Sequence, residues 1–548
     1  MLAGEPAVSP VSPERRVGAR RVLDEVRTRG YALAVAALTA GLAGFLLARI
    51  EGWPPHEDET LVLFVSRQPL GDMFATVISE RGGAPLHFLL AHLVATVSSG
   101  LTGLRLISVV FAVASVPIIA ALVAKLSDRR IALVATALAA ASWMTIYHGV
   151  YGRMYGLFLF TSALSFLLLL HALEGRRATW ALWAVASLAA IATQPYGALV
   201  VGVQAVYVGL RRWRERFDIV PAAVAFGVVA LVALPLWLSY RRLASRFEVG
   251  VSGEGNSKLG SPVDVLAYLA DTAGDFSIGW SVLTALVGVA AIVGLVSLSR
   301  TRPHAALLAV LVLALPAFAL MVVRSGSSLG LESRHLIFAL PFFALLVATG
   351  LVRLTAFAGR AAPFALALVV VALVAGEIAW GWHKTPALYD GENPLRTRAR
   401  EDAGAWLAAT SRSDDVLLGY EPLYLDAANR GSPFGEVLVP RADPRLLLDT
   451  LVDADKPLGR GVWVFDATDE QDPDKRRYTL PARSPGEEYE ARAFGPFLVI
   501  RTKESVETPE EFIRRTIDVE LLGRQLRIGD AGLNLSTALK ALRRLESG

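Results

Sequence analysis

Three consecutive carboxylates, Glu57, Asp58 and Glu59, stand between His56 and Thr60, directly after the turn-forming run Gly52-Trp53-Pro54-Pro55. Adjacent acids repel one another, so a cluster of this kind set against apolar segments can hold one carboxylate poised as a base or metal ligand. Taken alone, the cluster reads equally as a solvated loop rim. Two arginines offer the opposite charge. Arg153 lies among aromatics in Tyr147-His148-Gly149-Val150-Tyr151-Gly152-Arg153-Met154-Tyr155, and Arg334 lies in Glu332-Ser333-Arg334-His335. A forked guanidinium suits a phosphate, although arginines at membrane boundaries also serve as interfacial anchors. Gln194-Pro195-Tyr196-Gly197 is a further polar turn between apolar runs. His56, His87, His148 and His335 could gather around a metal, with Glu57 as an added ligand, but no two of the histidines have i, i+4 ligand spacing. No cofactor is required by this pattern, and a divalent cation stays open.

These residues need elements to position them, and the composition says which kind. The chain has 548 residues, 54% of them hydrophobic and only 19% charged, with a mean hydropathy of +0.47. That is a polytopic α-helical membrane protein. Net charge is only +4, and the arginines cluster in short segments between apolar runs, which speaks for topology and against nucleic acid. With no cysteine, disulfides, thiol nucleophiles and thiolate metal sites are excluded.

Arg15, Arg16, Arg20, Arg21, Arg27 and Arg29 precede an apolar run from Tyr31 to Ile50 that is too long for a signal-peptide core. Residues 1–30 therefore read as a cytoplasmic basic N-terminus and the run as an uncleaved anchor. Ala84-Pro85-Leu86-His87-Phe88 leads into a stretch to about Val97 with roughly 14 apolar-leaning residues, where a span needs about 20. It reads as a helix lying in the outer interface. With that choice Lys125/Arg129/Arg130, Arg176/Arg177, Arg211 to Arg216, Arg300/Arg302 and Arg353/Arg360 all fall inside. The spans are then about 31–50, 103–125, 131–147, 155–173, 179–195, 197–210, 219–239, 279–298, 304–323, 335–352 and 362–382, about eleven in all. An odd number puts residues 383–548 outside, on the face of the acidic loop 51–102.

Between Tyr240 and Ile278 a Gly/Ser-rich piece, Gly250 to Gly260, reads as a mobile lid, followed by a helix start at Ser261-Pro262-Val263-Asp264. From residue 383 the composition is that of a soluble domain. A helical pattern over Ala399 to Ala409, short apolar runs at Val416 to Gly419, Gly461 to Phe465 and Phe497 to Ile500, and a charged tail from Pro509 to about Glu546 predict a small α/β domain with a helical tail.

The order of these motifs resembles the GT-C membrane glycosyltransferases, the group that includes protein mannosyltransferases and the aminoarabinose transferase of lipid A. Members typically show an Asp-Glu pair in the first outer loop, similar to Asp58-Glu59, then a Pro-Pro-Leu-Tyr-like segment, similar to Ala84-Pro85-Leu86-His87. An Ala-Leu-Arg segment follows, similar to Gly103-Leu104-Arg105, and then Gln-Glu-Ala-Arg-Met-Tyr, similar to Val150-Tyr151-Gly152-Arg153-Met154-Tyr155. An Arg-Tyr before Leu-Leu-Phe-Ala-Leu-Pro is similar to Arg334-His335 before Leu336-Ile337-Phe338-Ala339-Leu340-Pro341. Val150-Tyr151 in place of Gln-Glu and Gln194-Pro195-Tyr196 in place of a His-Tyr-type turn are departures.

The resemblance spans about residues 31–352 within a 31–382 transmembrane domain. It implies transfer of a sugar from a polyprenyl-phosphate carrier to a glycan, lipid or protein acceptor of the cell envelope, on the outer face of the cell membrane. Asp58 is then the base, with Glu59 in support. Arg153 and Arg334 hold the donor phosphate, and Tyr155, His335, His87 and Tyr196 support the site. A lipid or glycan transporter is the competing class, and a member that has lost catalysis and acts as a scaffold is the other alternative. A transporter should carry ionisable groups near the bilayer midplane, whereas those here cluster at the outer ends of spans.

Overall fold

The computed structural model describes residues 13–80, 83, 85–98, 100–175, 177–245, 261–324, 332–419, 421–430, 436–437, 458–467, 479–533 and 535–547. The piece expected to form a mobile lid, Gly250 to Gly260, lies outside the described residues.

In chain order the helices are α1 (Pro13–Arg49), α2 (Glu57–Ser66), α3 (Leu70–Phe74), α4 (Pro85–Ala95), α5 (Leu101–Leu126), α6 (Arg129–Ala141), α7 (Trp143–Val150), α8 (Tyr155–Ala172), α9 (Arg177–Thr193) and α10 (Gly197–Glu215). They continue with α11 (Val220–Val232), α12 (Leu234–Ser245), α13 (Pro262–Phe276), α14 (Ser281–Thr301), α15 (Pro303–Arg324), α16 (Leu340–Thr355) and α17 (Ala362–Lys384). A 3₁₀ turn, Ser333–Ala339, opens α16.

Every segment expected to be a span is helical. Among the described residues five stretches are long and apolar enough to cross a bilayer, Thr28–Arg49, Leu101–Leu126, Tyr155–Ala172, Ser281–Thr301 and Ser333–Lys384, or up to seven if each of two bent pairs is one span. The chain is a multi-pass membrane protein. Ala178–Thr193 and Pro303–Ala319 are apolar but shorter, so length and composition do not by themselves reach eleven crossings.

Two expected spans are broken. α6 and α7 bend by 51° at Ser142, whose hydroxyl accepts from the Met144 N–H and restarts the helix; α11 and α12 bend by 45°. After the first break, Trp143, Tyr147 and His148 line the same cavity as Asp58. Elsewhere the bundle closes tightly: a Cβ at Gly294 would lie 1.8 Å from the Leu346 carbonyl and one at Gly350 1.9 Å from that of Ala290, so α14 and α16 touch backbone to backbone.

The two ends of the bundle differ. At one end Arg129 bonds Thr28 at 2.7 Å, Lys125 pairs with Glu174 at 2.6 Å, and Arg353 donates to Ser297 at 2.8 Å. These are the basic segments that the charge pattern puts together. The acidic helix, the 151–155 turn and the 332–335 turn meet at the other end.

Past Thr385 come α18 (Pro386–Asp390), α19 (Pro394–Thr410) and α20 (Glu421–Asn429), then two tail helices, Pro509–Leu526 and Leu535–Ser547. They enclose a sheet of β1 (Val416–Gly419), β2 (Glu436–Val437), β3 (Gly461–Asp466), β4 (Tyr489–Phe494) and β5 (Phe497–Thr502), in the order β2-β1-β3-β5-β4. β2, β1 and β3 run parallel, and β5 is antiparallel to both β3 and β4. Strand alternation sends Val462, Val464, Phe497 and Val499 against α19, and Trp463, Phe465, Leu498 and Ile500 against the first tail helix. Runs of apolar residues buried on both faces explain why β1, β3 and β5 were legible in sequence, whereas β4, half exposed, and the short β2 were not. This domain caps the acidic helix: Leu425 of α20 shares a core with Leu61, Val62 and Val65, Phe64 packs into the α19 face, and the Glu392 N–H donates to Gly52 at 3.2 Å.

Candidate active site

The acidic run is the first turn of α2, not a loop rim. His56 is the N-cap: its Nδ1 accepts from the Asp58 N–H at 3.1 Å, and its own N–H donates to Glu59 Oε2 at 3.1 Å, closing a capping box. Three acids at the positive end of a helix are stabilised by its dipole, which offsets their mutual repulsion.

Asp58 and Glu59 then part company. Glu59 is fully enclosed. Arg105 of α5 grips it from both sides, Nε to Oε1 at 2.8 Å and Nη2 to Oε2 at 2.7 Å, and the Gly152 N–H donates to Oε1 at 2.7 Å. The remaining Arg105 donors go to the carbonyls of Ile50 (2.8 Å), Trp53 (2.7 Å) and Pro54 (3.0 Å), so the guanidinium is saturated. A Cβ on Gly152 would come within 2.9 Å of Glu59 Oε1, which is why the turn must be glycine there. The pair thus ties the 50–59 segment, the start of α5 and the 151–153 turn into one knot. Glu59, expected beside Asp58 as a second catalytic carboxylate, has no oxygen left to meet a substrate; it positions its neighbour. Arg105, which carries this knot, was missed as a site residue. Its signal was a single charge a few residues inside an apolar span.

Asp58 faces out. It lines a cavity of about 1380 Å³ together with His56, Glu57, Tyr151 and Arg334. The Tyr151 hydroxyl lies 2.9 Å from Asp58 Oδ2 and 3.0 Å from His56 Nδ1, and Arg153 Nη1 lies 3.6 Å from Oδ1 while donating to the Asp58 carbonyl at 3.3 Å. Burial on its own would favour the protonated acid. Arg153, His56, Arg334 and the Tyr151 hydrogen bond outweigh it and hold Asp58 below the usual carboxylate range. Burial and the neighbouring Asp58 charge push the Tyr151 phenol well up, so it stays a donor.

Arg334 is on the cavity wall, its Nη2 2.5 Å from Glu332 and its guanidinium 5.3 Å from the Tyr155 ring centre. Arg153 is not part of that wall; it stands behind Asp58. Of the supporting residues, His335 stacks on Tyr196 at 4.7 Å and meets Tyr155 at 6.5 Å, so these three gather beside Arg334. His87 sits apart, buried under the first loop, where burial and Arg153 push it down to about 3 and keep it neutral. The histidines do not assemble into a metal site: His56 caps α2 and His335 stacks on Tyr196. Among the described residues no three His, Asp or Glu side chains come together as metal ligands, His56 and Glu57 included.

The far wall of the cavity was not anticipated. Asp275 of α13 accepts from Lys384 of α17 and from Ser333, and Trp143, Tyr147 and Trp380 add aromatic surface.

No family model matches the chain, and no curated protein matches it in sequence. Solved structures do match it in shape. ArnT from Cupriavidus metallidurans in the apo state superposes with a TM-score of 0.51 at 12% identity, over 87% of this chain and 98% of that one. The same protein bound to undecaprenyl phosphate gives 0.51 at 14% identity, over 86% and 98%. The chain has the ArnT fold. In this ArnT-like frame the acidic helix α2, the 151–155 turn and the 332–335 turn converge on one cavity. The oligosaccharyltransferase of Archaeoglobus fulgidus in its apo form also aligns, with a TM-score of 0.49 at 12% identity over 78% of this chain and 69% of that one.

Proposed function

We propose that the protein is a membrane glycosyltransferase that moves a sugar from a polyprenyl-phosphate carrier to an acceptor on the outer face of the membrane. The observation that carries this reading is Asp58: an ionised carboxylate, held by Arg153 and Tyr151, open to a large cavity whose wall also presents Arg334, on an ArnT-like fold. An acceptor hydroxyl would donate to Asp58 and attack the anomeric carbon. The new bond joins acceptor oxygen to that carbon, and the bond from carbon to phosphate oxygen breaks. The proton passes from the hydroxyl to Asp58 and then to solvent. Because Asp58 is a weak base, the transfer comes late, when the attacking oxygen has become acidic. Arg334, with Arg153 behind Asp58, would offset the charge left on the carrier phosphate.

Sidedness belongs to the same proposal: the basic ends of the bundle face the cytoplasm with the N-terminus, and the site and residues 383–548 lie outside. Substitution of the family's Gln-Glu by Val150-Tyr151 does not leave the site empty-handed, since Tyr151 itself holds Asp58. The undecaprenyl phosphate in the ArnT structure makes that lipid the first carrier to test. The experiment is turnover of a panel of polyprenyl-phosphate sugars by purified protein. Transfer from a soluble nucleotide sugar with no dependence on lipid carrier would overturn the reading.

A further inference from the structure

The wall of the cavity opposite Asp58 carries chemistry that sugar transfer itself does not use. α13 presents Asp264, Tyr268, Asp271 and Asp275 to it at helical spacing, and α17 brings in Lys384. Asp264 is occupied by its own helix, where it closes a capping box with Ser261. Asp275 is buried, takes hydrogen bonds from Lys384 and Ser333, and has its lysine 3.8 Å from the centre of the Trp143 ring. Asp271 is exposed and has no hydrogen bond or ion pair among the described residues. His148 also lines the cavity; it is 1% exposed, yet its Nδ1 has no hydrogen-bond partner. Buried polar atoms are ordinarily satisfied, so one left over in a cavity wall points to something that binds there.

The charge pattern says what kind of molecule fits. Asp58, Asp275 and Glu332 each have a cation at ion-pair distance, Arg153, Lys384 and Arg334 respectively. Each pair sets acceptor oxygens beside donor N–H groups and cancels its own charge, while Asp271 adds an unpaired acceptor and leaves the lining acidic on balance. An ammonium group would be drawn by Asp271 but would meet a cation at each of the three pairs. A peptide would find no strand edge, because the cavity is lined from helices and their ends. A hydroxyl is donor and acceptor at once and matches each pair. We infer that Asp271, Asp275, Lys384, Ser333 and His148 form an acceptor subsite for a neutral, polyhydroxylated chain, which is to say a glycan. This rests on the glycosyltransferase reading above. The cavity, about 1380 Å³, also exceeds the roughly 300–1,000 Å³ of ordinary small-molecule pockets, which gives room for more than one sugar unit.

The test uses the full chain in lipid nanodiscs. Saturation-transfer NMR is run with neutral gluco-, manno-, galacto- and arabino-configured tetrasaccharides, with a Ser/Thr-rich peptide and with spermidine; binding of undecaprenyl phosphate is measured separately. At least one tetrasaccharide should bind, and neither the peptide nor spermidine should. Asp271→Ala and Lys384→Gln should each weaken that tetrasaccharide about tenfold, the effect of losing one hydrogen bond to a charged group, with undecaprenyl phosphate unaffected. Asp271 is exposed and unpaired, so its removal tests the subsite without a folding defect. Absence of saccharide binding, binding of the peptide or spermidine in its place, or saccharide binding indifferent to both substitutions overturns the subsite. Saccharide binding that depends on Asp271 while undecaprenyl phosphate fails to bind would count against the donor reading and leave the subsite standing.

Discussion

Asp58 and Glu59 are neighbours on one helix turn, yet they belong to two regions of opposite character. Around Glu59 the molecule is closed: carboxylate, guanidinium and backbone satisfy one another with no solvent contact. Around Asp58 it is open, and the carboxylate keeps its charge through partners that still leave it facing a cavity. The contrast shows how a rigid, dry knot lets a charged group one residue away be held in place and remain available. A buried ion pair adds little net stability against an apolar replacement, so its use here is to fix geometry.

The largest effect should come from breaking the knot. Arg105→Met leaves Glu59 as an unpaired buried charge, which typically costs about 3–5 kcal/mol, and thermal unfolding in detergent should drop accordingly with loss of turnover. The double substitution Arg105→Met/Glu59→Leu should be more stable than Arg105→Met alone. If it is not, the knot is not an ion-pair device.

Removing the open carboxylate should do the reverse. Asp58→Asn keeps the size but removes the charge that Arg153 faces, so unfolding should drop less than in Arg105→Met while turnover falls by about 10²- to 10⁴-fold, the usual weight of general-base catalysis. Near-normal turnover would return the acidic cluster to a helix-capping role.

Next come the cations. Arg334→Ala and Arg153→Ala should each weaken undecaprenyl-phosphate binding by roughly one to two orders of magnitude, and lysine at either place should restore only part, because the fork is lost. Arg334, on the wall, should show the larger effect; equal loss from both would mean that Arg153 reaches the phosphate directly.

The smallest effect is in pH. Asp58 is depressed in the folded state, so its contribution is complete above the ordinary carboxylate pKa of about 3.9 and is lost only as pH falls through its lower folded value. Turnover should therefore show no acid limb from Asp58 between about pH 5 and 7. His87 is also depressed, to about 3, but it is a base: the unfolded chain takes up its proton near 6.5 while the folded chain does not, so stability declines as pH falls from about 6.5 toward 3. His87→Leu should flatten the acid side of the melting-temperature profile, and an unchanged profile would remove His87 from that account.

What the sequence determined by itself is local. Apolar run lengths, the helix start at Ser261 and the charge bias of the turns depend on residues a few positions apart, so the long apolar helices, three strands of the tail sheet and the candidates Asp58, Arg153 and Arg334 were legible; that His56 caps a helix opened by the acidic run was not read. The break at Ser142 was not legible, since no proline marks it and it interrupts a run that reads as continuous; the bend at Ala233 precedes Pro235, the second residue of α12, a local helix-breaking signal that went unread. Tertiary structure alone decided that Glu59 is enclosed and Asp58 open. The deciding partners, Arg105 for Glu59, Tyr151 for Asp58 and Lys384 for Asp275, lie 46, 93 and 109 residues away, a separation over which periodicity and propensity carry no information. The same holds for the tail domain. Its sheet could be read strand by strand, but that Leu425 and Phe64 bury α2 between that domain and the membrane bundle follows only from packing.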